Sequence, residues 1–328
     1  MVCLLPEQYL GYSMCSIIEI FYENDKYMLK KSTKAFIREA RRSADNNGYS
    51  FIDFIHAYVY MRWPFLYISI GKGDHPLVKK IKPVVRLFHK FRITPNKDNS
   101  SDGVAEGYHG KAVPLETARQ LVSVNQEISL TNLEQVIPFD RARDIILRNP
   151  DHIVAMQCPC RKAKEHPCLP LDVCLIIGDP FASFVLEHHP RTSRSISPQE
   201  ARLILKQEEA RGHVHHAFFK DAMLDRFYAI CNCCSCCCGA MQAHRNGTPM
   251  IISSGFVAEV DHSICVECGL CKSVCQFDAI LVDGRITVDS ETCMGCGVCV
   301  SNCPQGALSL KRDHSKPSPL DVQQLVAQ

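Results

Sequence analysis

Two stretches of this chain repeat each other at a spacing of 28 residues: VDHSICVECGLCKSVCQFDAILV from Val260 and VDSETCMGCGVCVSNCPQGALSL from Val288. Asp261 aligns with Asp289, Cys265 with Cys293, Cys275 with Cys303 and Ala279 with Ala307. Each copy holds three cysteines spaced by two residues and a fourth after three more. Gly269 and Gly297 sit where a short loop must wrap closely, which a residue without a Cβ permits. Paired C-x2-C units also build tetrahedral zinc sites. Here no histidine occupies a ligand position, and the tandem order of eight cysteines favours iron–sulfur over zinc.

Over about 55 residues, 257–311, the sequence resembles the bacterial two-cluster ferredoxins, whose cysteine run it reproduces twice. The resemblance implies a small ferredoxin-like module of two pseudo-symmetric halves holding two [4Fe–4S] clusters. In that family the fourth cysteine of each run ligates the other cluster. Cluster I is then expected on Cys265, Cys268, Cys271 and Cys303, and cluster II on Cys293, Cys296, Cys299 and Cys275. Pro304 follows Cys303 as the family pattern requires, but Gln276 follows Cys275. That departure removes no ligand; it places a backbone N–H near cluster II and bears on its local geometry.

The chain has 20 cysteines, and 18 of them lie from Cys158 to Cys303, with only Cys3 and Cys15 before. A disulfide scaffold of this density is usually short and secreted, whereas MVCLLPEQYLGYSMC shows no basic leader followed by an apolar stretch. The expectation is therefore a reducing cytoplasm in which clustered thiols are metal ligands, and an anaerobic setting. A net charge of +2 and 46% apolar residues fit an ordinary globular protein and speak against a nucleic-acid coat. No apolar run reaches the 18 or so residues that span a bilayer.

Four regions are expected in an α+β chain: an N-terminal helical, aromatic and basic segment (1–110), a mostly helical or mixed cysteine-rich domain (111–256), the two-cluster module (257–311) and a tail (312–328). FIDFIHAYVYMRWPFLYISIG carries seven aromatics from Phe51 to Tyr67 and reads as a buried helix broken at Pro64 that turns into a short strand, YISI. Residues 72–97 hold Lys72, Lys79, Lys80, Lys82, Arg86, Lys90, Arg92 and Lys97 against Asp74, on an amphipathic helical pattern. This is a solvated face or a dock for an acidic protein or an anionic membrane surface, the latter making the chain peripheral to a membrane. The loop NKDNSSDGVAEGYHG marks a boundary. PLETARQLVSVNQ begins a helix, and PFDRARDIILRNP reads as another, closed by Asn149 and Pro150. HIVAMQCPCR alternates as a strand that delivers cysteines at its end. SPQEARLILKQEEARG is a helix with Ser197 as N-cap, Pro198 at its first position and Gly212 as its stop.

Besides Cys3 and Cys15, ten cysteines precede the module: Cys158 and Cys160 in CPCR, Cys168 and Cys174 in HPCLPLDVC, and Cys231, Cys233, Cys234, Cys236, Cys237 and Cys238 in ICNCCSCCCG. Adjacent thiols cannot all face one metal from a regular element, so an irregular loop is expected, with Gly239 supplying an unusual backbone angle at its end. The reading is one further iron–sulfur cluster, or two, between CPCR and CNCCSCCCG. Zinc and a metal-free redox thiol set are the alternatives. His166, His215 and His216 stand as ligands, proton donors or hydrogen-bonded structural residues. Arg161 either offsets cluster charge or pairs with a carboxylate.

CPCRKAKEHPCLPLDVC, EARGHVHHA, ICNCCSCCCG and the paired runs together resemble, over residues 114–310, a group of 4Fe–4S binding proteins of anaerobic bacteria and archaea that has no assigned substrate. In that group a G-L-V-H stretch precedes the cysteine loop. Here His215 is the matching histidine and His213 a departure. No G-x-G-x-x-G, P-loop or Ser-His-Asp pattern supports nucleotide, flavin or hydrolytic chemistry. Three functions follow: an electron-transfer protein or subunit docking a redox partner protein, a reductase whose upstream centre binds substrate, or a redox or metal sensor.

Overall fold

The computed structural model describes residues 29–47, 49–73, 75, 108–131, 133–138 and 144–326. Cys3, Cys15 and the basic run from Lys79 to Lys97 lie outside the described residues. Three helices open the described chain: α1 (Lys31–Asn47), α2 (Phe51–Arg62) and α3 (Pro64–Gly71). A capping box starts α2, where Ser50 Oγ accepts from the Asp53 amide and the Asp53 carboxylate accepts from the Ser50 amide. The strand expected at Tyr67–Ile70 is instead part of α3. Pro64 does break the first helix, but a proline needs no N–H at a first helical position, so it also starts the next one, and the Tyr67 amide bonds Trp63 O at 2.9 Å.

An eight-stranded sheet forms the centre, from β1 (Tyr108–Ala112), β2 (Ile128–Leu130), β3 (Ile145–Met156), β4 (Cys174–Asp179), β5 (Ser193–Ile196), β6 (Val214–Lys220), β7 (Arg226–Cys233) and β8 (Ile251–Ile252). Its order is β2-β3-β4-β7-β6-β1-β8 with β5 also on β3, and among the described strand pairs β1/β8 is parallel and the others antiparallel. Of the mostly helical or mixed region expected here, the structure shows the mixed form, with the sheet at its centre. PFDRARDIILRNP is the clearest correction, because its described end, Asp144 to Pro150, enters β3 rather than a helix. Ile145 and Leu147 are buried in alternation, a two-residue period. Asn149 sits at φ 51, inside a register shift between Arg148 and Ile153 on β4, so Asn-Pro marks an irregularity within a strand.

Two cores flank the sheet. On one face Phe36, Phe54 and Met61 of the N-terminal helices pack with Phe181 and Phe184 of α6 (Phe181–His188) and with Phe218 and Tyr228. The N-terminal helices thus share a core with the sheet. On the other face Leu121 of α4 (Leu115–Leu121) and Leu205 of α7 (Pro198–Ala210) meet Leu175, Phe219 and Phe227. The caps of α7 are those read from sequence: Ser197 Oγ accepts from the Glu200 amide, Pro198 opens the helix and Gly212 takes φ +81. A short helix α5 (Pro159–Lys162) follows β3, and α8 (Gly239–Arg245) follows the cysteine-rich turn.

The C-terminal module pairs β9 (Phe256–Val260) with β12 (Leu308–Arg312), and β10 (Ile280–Val282) with β11 (Ile286–Val288). Its helices α9 (Leu270–Val274) and α10 (Val298–Ser301) start at Gly269 and Gly297, both left-handed. The two halves repeat their hydrogen bonds as well as their residues: Asp261 N to Ala307 O and Asp289 N to Ala279 O are both 2.8 Å. Beyond the module Leu320, together with Val322 of α11 (Val322–Val326), is buried in the core on the α7 face. Among the described residues no helix is long and apolar enough to cross a membrane.

Candidate metal centres

In the C-terminal module one cavity, with about 360 Å³ of empty space including its mouth, is lined by Cys275, Cys293, Cys296 and Cys299 together with Phe277, Ala279 and Leu310. Three of these cysteines come from the second repeat and one from the first. Cys299 is pushed up to about 12 by burial and then by Cys293, Cys275 and Cys271. Such thiols stay neutral until a metal displaces their protons. The fourth cysteines are matched across the pseudo-symmetry: Cys275 Sγ accepts from the Ala279 amide at 3.4 Å and Cys303 Sγ from the Ala307 amide at 3.3 Å. The donor set and these N–H to sulfur bonds fit an iron–sulfur cluster, whose sulfurs are commonly tuned this way.

The two repeats differ in exposure. Cys268 is exposed and Cys265 and Cys303 are half-buried, whereas Cys293 and Cys299 are buried. The cause is the docking of the second repeat against the rest of the chain. Ser254 Oγ donates to Gly295 O at 2.7 Å, and Ser301 Oγ donates to Glu209 Oε1 at 2.7 Å. The first repeat is tied to the same body at Gln276, which accepts the Ser235 amide at 2.9 Å on its side-chain oxygen, while Arg245 bonds its backbone carbonyl and Asp278. The residue that departs from the ferredoxin pattern is thus the one that touches the cysteine-rich turn.

The ten upstream cysteines divide into two sets. Cys158 and Cys160 flank the start of α5, Cys174 starts β4, Cys231 and Cys233 end β7, and Cys238 caps α8. Their thiols perturb one another in pairs: Cys158 with Cys160 and Cys174, Cys174 with Cys231, Cys160 with Cys238, and Cys238 with Cys233. Cys158 is pushed up to about 12, first by its hydrogen bond with Cys160 and then by burial. These six line one cavity with about 810 Å³ of empty space including its mouth. Cys234 and Cys237 reach the same wall, but their closest thiol partners are Cys168 and Cys236. The expected irregular loop is only partly one, since Cys231 to Cys233 complete a strand and the turn covers Ser235 to Cys237. Gly239 takes no unusual backbone angle. It is the first residue of α8, and a Cβ there would lie 3.1 Å from Lys72 Cγ, so it gives room to a lysine.

Strand alternation assigns the neighbours of these thiols. Cys231 and Cys233 face the cavity, so Asn232 faces the other way, where its Oδ1 meets His215 Nδ1 at 2.6 Å. His215 is held between Asn232 and Glu209, whose Oε2 is 3.0 Å from Nε2 but off the line of a hydrogen bond. It does not join the thiols, and His166 is exposed. His216, on the cavity side, packs against Phe218 and Phe277. Burial, then His215 and His244, lower it to about 3. Arg161 takes the carboxylate alternative: its guanidinium is fully buried, 2.7 Å from Glu208 Oε2, and donates to Pro170 O and Asn232 O.

Sequence reasoning passed over Glu208 and Glu209. Two carboxylates in the last turn of a helix oppose its dipole, and that misfit was a readable sign of other partners. It also passed over the aromatic wall: Tyr60 OH meets Tyr228 OH at 2.9 Å, and Lys220 Nζ lies over Tyr60, Tyr108 and Tyr67 at 4.3, 4.8 and 5.2 Å. Burial lowers Lys220 to about 8.

Residues 258–310 match the family described as a 4Fe-4S dicluster domain. No curated protein matches the chain. The C-terminal module is therefore an iron–sulfur domain of ferredoxin type, joined to a cysteine-rich region.

Proposed function

We propose that the chain is an electron-transfer protein or subunit in which two [4Fe–4S] clusters, ligated in the crossed pattern, communicate with a third iron–sulfur centre on four of the six inner thiols. The observation that carries the reading is the thiol-lined cavity whose cysteine-rich turn bonds, from the Ser235 amide, to Gln276, the residue following Cys275 of the second-cluster cavity. When bound, the clusters supply one-electron chemistry. The chain supplies thiolates, N–H donors to Cys275 and Cys303, and apolar burial of the second repeat. The more exposed first repeat, flanked by the exposed side chains of Ile264, Val266 and Leu270, is the side offered to a redox partner protein. A cytoplasmic location follows from thiols that must stay reduced.

Anaerobically purified protein then carries about twelve irons per chain in cubanes, and Cys158→Ser with Cys238→Ser reduces this to about eight, leaving the ferredoxin-type signals intact. A parent protein holding only about eight irons, with Cys158 and Cys238 open to alkylation, would sink the third cluster.

A reductase is the second reading, favoured by the aromatic wall. Tyr60, Tyr108 and Tyr228 line space that ligation alone does not require, and Lys220 sits over the Tyr60 and Tyr108 rings behind that wall. In that case a candidate disulfide, thioester or quinone changes the upstream EPR signal, and Lys220→Met abolishes the change. An upstream signal insensitive to all three classes counts against it.

A further inference from the structure

Four thiols are gathered more tightly than any others among the described residues. The Sγ atoms of Cys168, Cys234, Cys236 and Cys237 all lie within 4.8 Å of one another, with Cys168 to Cys236 at 3.1 Å and Cys236 to Cys237 at 3.6 Å. Three come from one turn, closed by the Cys237 and Cys238 amides on Cys234 O, and the fourth from the loop between α5 and β4. All four are free thiols.

The spacing separates two kinds of metal centre. A single tetrahedral ion with metal–sulfur bonds of about 2.3 Å holds its sulfurs roughly 3.8 Å apart. In a cubane each thiolate binds a different iron, so the sulfurs stand farther apart by roughly the separation of the irons. The chain contains its own comparison: all eight cysteines of the dicluster domain are described, and no three of them gather within 4.8 Å. Nor do any three of the inner six upstream thiols. The tetrad has the size of a one-ion site, and an all-thiolate donor set selects zinc or iron over harder cations. Cys236 is exposed and Cys168 half-buried, so an ion can reach them.

We propose that Cys168, Cys234, Cys236 and Cys237 bind one divalent zinc or iron ion in a tetrathiolate site separate from the clusters. Binding displaces the thiol protons and involves no electron transfer. Its effect is structural. The ion ties the turn carrying Cys234 to Cys237 to the loop carrying Cys168, and so fixes Cys233 and Cys238 on either side of that turn, where they enter the cavity. Lys72 assists from the other side, its ammonium bonding Cys237 O at 2.9 Å and Cys160 O at 3.2 Å. This site rests on the tetrad alone and stands whether or not the inner six hold a cluster.

The test is metal analysis of the anaerobically purified full chain with X-ray absorption. One zinc per chain with a shell of about four sulfurs near 2.3 Å supports the site, as does one iron with the Mössbauer spectrum of high-spin ferrous iron in a tetrathiolate shell. Cys168→Ser with Cys236→Ser, both at accessible positions, then loses that one ion and keeps all cubane iron. As a check independent of folding losses, cobalt added to the metal-depleted parent gives the absorption of tetrahedral thiolate cobalt, and the double variant does not. Loss of iron in a block of four from the double variant would assign the tetrad to a cubane and overturn the proposal. So would recovery of Cys168 and Cys236 as a disulfide, or as freely alkylated thiols, with no ion lost.

Discussion

Replacing Gln276 by proline restores the residue that its own repeat partner, Pro304, shows the fold to accept. Cys275 already has φ −72 and ψ 111, the extended conformation that precedes a proline without strain. What the substitution removes is the 2.9 Å acceptor of the Ser235 amide. A protein hydrogen bond contributes about 0.5–1.5 kcal/mol net. Ser235 is half-buried, so water replaces the lost acceptor in part and no full desolvation cost is added. The free energy of opening the Cys234–Cys237 turn should therefore fall by that amount, and amide exchange there should rise roughly two- to twelve-fold, at about 1.4 kcal/mol per tenfold. The assay is hydrogen exchange by mass spectrometry on the holoprotein, followed in a peptide spanning residues 231–239. Gln276→Met, which keeps the length and loses the acceptor, should behave alike. Unchanged protection in both variants refutes the junction as an energetic link. A change in the proline variant alone would reassign the effect to the backbone.

Glu208→Ala leaves the Arg161 guanidinium buried without its carboxylate and should cost about 3–5 kcal/mol in anaerobic urea unfolding, while Arg161→Met with Glu208→Leu recovers most of the loss. The crossed assignment predicts that Cys275→Ser perturbs the EPR signal of the buried second-repeat cluster and Cys303→Ser that of the exposed first-repeat cluster; the reverse pattern refutes crossing. At Gly295, φ is +61 and a Cβ would run into Phe256 O and Ser254 Oγ, so Gly295→Ala should abolish the domain's cluster absorption. Gly306→Ala, at φ +64 in open space, should cost only about 1–2 kcal/mol. His152 is raised by its hydrogen bond to Asp179, and a raised base contributes stability that is complete below its unfolded value near 6.5 and lost as pH rises through the folded one. The stability advantage of the parent over His152→Gln, read as the difference between their unfolding midpoints, should shrink as pH rises across that range.

The 28-residue repeat, the glycine-started helices of the module and the caps of α7 were legible because each depends on residues close in sequence. Ser197, Pro198 and Gly212 act within one helix, and Gly269 and Gly297 within one loop. YISI and PFDRARDIILRNP misled because short segments take their conformation from their partners. Tyr67 follows a proline that starts a helix, and Ile145 to Leu147 are strand because β2 lies alongside. The upstream site shows the same division more sharply. The crowding of ten thiols between Cys158 and Cys238 already pointed to a metal or to one another as their partners. Which thiols meet was decided by the pleat of β7, the turn at Ser235 to Cys237 and the start of α8: these send Cys231, Cys233 and Cys238 inward while Cys234, Cys236 and Cys237 converge on Cys168, far away in the chain. Side-chain direction alternates over one or two residues, whereas the partner each thiol faces is set by packing of the whole sheet, and only the second of these lies beyond a reading of neighbours in sequence.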